Sequence, residues 1–77
     1  MLIGRRRSIV TERTRRGWSQ AELASRVKLS PAAISRIESG CGTGERSAAK
    51  IAEALDGDVF SFFDLSVDER TSAGGNL

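Results

Sequence analysis

The side chains best equipped for chemistry in this chain are its cations. Residues 1–50 hold eleven Lys/Arg against four Asp/Glu, while residues 51–77 hold one Arg against six acids. Such a split suits a polyanionic partner for the first two-thirds of the chain, with the acidic end turned away from it. On charge alone, a solvated surface explains the split equally well. Arg5-Arg6-Arg7 reads either as an arm that tracks phosphates or enters a minor groove, or as a solvated face on which Arg6 covers apolar neighbours with its stem. Arg46 falls near a helix start, where a cation opposes the helix dipole. That local conflict fits a phosphate contact.

Other chemistries lack their reagents. The chain has no histidine and no tyrosine, and the carboxylate pair Asp68-Glu69 falls in a polar terminal stretch. General acid–base and nucleophilic catalysis therefore have no dyad, and a helical chain of 77 residues has little room for a pocket. We expect no enzyme, no cofactor and no metal site. Cys41 is the single cysteine, which excludes an internal disulfide and suits a reducing cytoplasm; it reads as inert or as an intermolecular redox switch. The segment GCGTGE (40–45) superficially resembles a phosphate cradle but follows a helix and lacks Gly-Lys-Ser/Thr. No apolar run approaches the roughly 18 residues of a membrane span.

The elements that must position these cations read as five helices, with no strand pattern. Residues 2–16 suit a first helix, with Leu2, Arg6, Ile9 and Arg13 on one face and Gly17 as its stop. Ser19 and Glu22 form a capping box that starts a second, with Trp18 as a staple on Leu23 rather than a stacking platform. Leu23, Ala24 and Val27 make its buried stripe. After a turn at Lys28-Leu29, Ser30 caps a third helix with Pro31 at its first position, Ile34 and Ile37 inward and Gly40 at its end. A loop spans 40–45. A fourth helix runs from about Glu45 to Leu55, and Asp58 caps a short fifth, VFSFFDL. Residues 1–65 form one domain, and 66–77 read as a disordered polar tail.

The blocks GWSQAELASRV (17–27) and ISRIESG (34–40), with Arg13, Leu29-Ser30 and IAEAL (51–55), resemble the helix-turn-helix domain of the phage-repressor/Cro and xenobiotic-response-element regulators. The resemblance implies an all-α, compact five-helix domain of the lambda-repressor-like type. It implies a sequence-specific transcriptional regulator bound to double-stranded DNA, with the third helix in the major groove, acting as a homodimer. The same fold also serves as an antitoxin, in which the chain after about Asp64 would wrap a toxin.

The resemblance further assigns phosphate contacts to Ser19 and Gln20 at the second helix start and to Ser30 at the third. Base reading falls to Pro31, Ala32, Ser35 and Arg36. Arg36 is the one strong reader among them, able to bond O6 and N7 of guanine together. Ala32 offers a methyl surface to thymine, Ser35 is permissive, and Pro31 stands near where many relatives have an adenine-reading glutamine. Arg13 and Glu38 correspond to a partly buried salt bridge, and both are charges on otherwise apolar faces. Two departures stand out. Lys28 occupies a turn position where relatives carry glycine, which implies left-handed strain; it is either an exposed turn residue or a phosphate contact. The loop after the third helix lacks the relatives' proline, so phosphate contacts from its backbone through Thr43 rest on a more mobile segment. Phe60, Phe62 and Phe63 cannot all face one side of a helix; Phe62 is expected outward, toward a second copy or a protein partner.

Overall fold

A computed structural model describes residues 1–65; the tail expected at 66–77 lies outside the described residues. The architecture is mostly helical but not purely so. In chain order it runs β1 (Leu2–Gly4), α1 (Arg6–Arg15), α2 (Gln20–Val27), α3 (Pro31–Glu38), β2 (Gly42–Thr43), α4 (Glu45–Ala54), α5 (Val59–Phe62) and β3 (Phe63–Leu65).

The all-α expectation is thus corrected at three places. Residues 2–4 are a strand rather than the first turn of α1, part of the expected 40–45 loop is β2, and the end of the expected fifth helix is β3. The three form one antiparallel sheet in the order β2-β1-β3. Leu2 stands opposite Thr43 on one side and Leu65 on the other, and Gly4 stands opposite Phe63. Gly4 is required where β1 meets α3. A Cβ there would lie 2.8 Å from the Ile37 carbonyl oxygen and 3.0 Å from Ile37 Cγ2 and Ile9 Cδ1.

The helices end alike. Each of α1 to α4 is followed by one left-handed residue, namely Gly17, Lys28, Gly40 and Asp56. The next amide then reaches back five residues, as in Trp18 N–H to Arg13 O at 3.0 Å and Cys41 N–H to Arg36 O at 2.9 Å. These Schellman-type ends satisfy the last carbonyls and turn the chain sharply. Compact ends let short helices surround one core. Its fully covered members include Ile9, Leu23, Ile34, Ile51, Leu55 and Phe63, with Trp18, Leu29 and Val59 packed at its margin.

Phe62 is buried, not outward as expected. The helix stops at Phe62 and Phe63 is extended (φ −134°, ψ 146°), so both rings turn inward and Phe60 is left 58% exposed.

Candidate nucleic-acid interface

The centre of the molecule is α2, a tight turn and α3. Both helix starts are capped by serine. Ser19 Oγ accepts from Glu22 N–H and Ser30 Oγ from Ala33 N–H, each at 3.1 Å. Accepting a bond leaves each hydroxyl hydrogen able to donate outward. Just after the caps, the amides of Gln20, Ala21 and Ala32 have no backbone acceptor among the described residues. They give both helix starts a positive end that suits an anion. Between them Lys28 sits at φ 59°, ψ 43°, the left-handed conformation.

This pair is anchored by a carboxylate buried in the apolar core. Glu38 is 4% exposed. Arg13 meets it with Nε on Oε2 at 2.8 Å and a terminal nitrogen on Oε1 at 3.2 Å, and donates a third bond to the Trp18 carbonyl at 2.9 Å. Gln20 Nε2 donates to the same Oε1 at 2.9 Å. Helices α1, α2 and α3 are thus held at one point. Trp18 packs at the core margin with the Arg26 guanidinium 4.1 Å from its ring centroid.

Ion pairing sorts the cations. Arg5 pairs with Asp64, Arg13 with Glu38, Arg15 and Arg16 with Glu12, Arg16 also with Asp56, and Arg26 with Glu22. The Asp64 bond and charge raise the Arg5 pKa, and Arg5 in turn lowers that of Asp64. Bonds to Glu12 and Asp56 raise that of Arg16. Among the described residues, Arg6, Arg7, Lys28, Arg36, Arg46 and Lys50 have no acidic partner. Arg5 is therefore committed to β3, whereas Arg6 and Arg7 lie exposed on the first turn of α1.

On α3, Pro31, Ala32 and Arg36 are exposed and Ser35 is half-buried. Arg36 and Thr43 line one shallow groove of about 260 Å³, together with Cys41 and Ser47. Thr43 sits in β2 rather than in a mobile loop. Arg46 is exposed in the first turn of α4, whose N-cap Gly44 supplies no side-chain cap. Lys28 lies apart from that groove. It lines another with Arg26 and Lys50. Lys50 did not stand out in the sequence, though its spacing of four from Arg46 places both on one side of α4. The link from Gln20 to Glu38 also escaped sequence reading.

A capped helix, a left-handed turn and a second capped helix with an exposed arginine define a helix-turn-helix of the DNA-binding type. The chain belongs to the Cro/C1-type helix-turn-helix family: the family model described as "Helix-turn-helix" matches residues 9–62. The family is one of DNA-binding transcription regulators and not of enzymes. No curated protein and no solved structure matches the chain. Strands β1 and β3 fall outside the matched residues. Among the described residues, no helix is long and apolar enough to cross a membrane and no group of metal-ligating side chains gathers.

Proposed function

We propose that this protein is a sequence-specific regulator of the Cro/repressor kind, which lays α3 in the major groove of an operator. The observation that carries the proposal is the sorting of cations. The arginines on α1 and α2 from Arg13 to Arg26 are occupied by acids, while Arg36 on the exposed face of α3 is free among the described residues. Arg36 reads guanine, Ala32 meets a thymine methyl, and Pro31 and Ser35 complete a small reading surface. Ser19, Gln20, Ser30, Lys28, Thr43 and Arg46 supply phosphate contacts, which position the domain without reading sequence.

The protein acts as a homodimer, since a two-fold pair of reading helices matches a pseudo-palindromic site. Exposed Met1, Phe60 and Leu65 border an apolar groove of about 540 Å³ with Val59 and Ala49. This groove also favours a second reading, a protein-interaction module such as an antitoxin. Selection of binding sites from random duplex DNA separates the two. A palindrome with guanine at one fixed position, lost in Arg36→Ala with about 1–3 kcal/mol of discrimination, supports operator reading. Recovery of no preferred sequence by the wild-type chain refutes it.

A further inference from the structure

The buried carboxylate of Glu38 has more donors than its ion pair needs. Arg13 alone reaches both oxygens. The additional donor, Gln20 Nε2, comes from the first residue of α2, which is half-buried and adjoins the free amides of that helix start. A carboxamide nitrogen carries two hydrogens. One is committed to Glu38, the one hydrogen bond that this nitrogen makes among the described residues.

We propose that Glu38, with its charge balanced by Arg13, is a positioning residue for DNA binding, holding the Gln20 amide so that its second N–H faces a backbone phosphate. This rests on the reading above that Gln20 meets phosphate. The arrangement solves two difficulties at once. A glutamine free to rotate loses side-chain entropy on binding, and one already clamped loses less. A carboxylate close to a phosphate would repel it, and the forked Arg13 contact cancels that charge.

The test uses the full chain and a short duplex of random sequence at low salt, since phosphate contacts are independent of sequence. Gln20→Ala is compared with the paired substitution Arg13→Met with Glu38→Leu, and with all three changes together. The paired substitution leaves the net charge unchanged and replaces the buried pair with apolar groups, which often preserves the fold. Anisotropy titration is expected to show about tenfold weaker binding for Gln20→Ala, as for a hydrogen bond to a charged group. The paired substitution is expected to weaken binding similarly in the wild-type background and less than about twofold in the Gln20→Ala background. Equal losses in both backgrounds, or no loss in the wild-type background, overturn the positioning role while leaving the phosphate contact standing. No loss for Gln20→Ala removes the phosphate contact itself, and the positioning role with it.

A second measurement needs no substitution. Gln20 is the one glutamine of the chain and Asn76 the one asparagine, so the side-chain amide region of a nitrogen–proton NMR spectrum holds two pairs. One Gln20 proton is expected to be protected from solvent exchange and its geminal partner to shift on adding the duplex. Two Gln20 protons that both exchange rapidly, or neither of which shifts on adding the duplex, overturn the proposal.

Discussion

Replacing Arg13 with methionine should be among the most damaging single changes outside the apolar core. It removes two donors from Glu38 and one from the Trp18 carbonyl. Oε1 keeps Gln20, while Oε2 is left with no donor, in a residue only 4% exposed. Stranding one member of a buried pair costs about 3–5 kcal/mol. A chain of this length holds about 4–12 kcal/mol in all, so the variant stands near the edge of unfolding, with Tm lowered by roughly 12–40 °C. Urea denaturation followed by far-UV circular dichroism and by fluorescence of Trp18, the single tryptophan, measures the loss. Arg15→Ala is the control. Its pair with Glu12 is 3.4 Å long with Arg15 72% exposed, and its removal should cost under about 1 kcal/mol. A loss for Arg13→Met no larger than that control would refute the idea that burial makes this pair costly to break.

Three further outcomes follow from local geometry. Gly4→Ala should cost about 1–3 kcal/mol, because the new methyl meets the Ile37 backbone oxygen, whereas Gly42→Ala, which meets only the movable Met1 side chain, should stay within about 0.5 kcal/mol in the same denaturation assay. Lys28→Gly should raise stability by about 1 kcal/mol by relieving the left-handed backbone at φ 59°, and a fall in the urea midpoint would show that no strain resides there. Asp64 should titrate below the ordinary 3.8, because Arg5 hydrogen-bonds it and attracts its charged form. Since folding lowers that pKa, the tie between β3 and Arg5 contributes above about pH 4 and is lost as pH falls through the lower folded value. Carboxyl-carbon NMR should show the Asp64 midpoint rising in Arg5→Ala.

Helix starts and stops were legible because their signals are local. Ser19, Ser30, Gly17 and Gly40 do the jobs that capping chemistry assigns them within four residues of sequence. Arg13 and Glu38 stood out as charges on apolar faces, and they form the buried ion pair. The sheet was illegible for the opposite reason. Strands of two or three residues have no readable period, and Leu2 and Ile3 fit a helix as well as a strand. What makes them extended is pairing with residues about forty and sixty positions away, together with the close approach of Gly4 to α3. The phenylalanine cluster shows the same limit. Spacing said that Phe60 and Phe62 must diverge, but the switch from α5 to β3 decided that Phe60 goes outward. Residue type singled out Arg36, which the fold leaves exposed on α3, while the Gln20 bond to Glu38 depends on how α2 crosses α3.

The middle strand of the sheet has a consequence for how the molecule is made. Gly4 faces Phe63, so β1 cannot complete its pairing until nearly the whole described chain has been synthesised. Helices α1 to α4 are built from nearby residues and can form and dock early, whereas the clasp across β1 requires the slow closure of a sixty-residue loop. The order of assembly is then helices first and sheet last. Until that final step, an apolar strand carrying Leu2 and Ile3 waits without its partners, and during that interval the nascent protein is most exposed to wrong strand pairing.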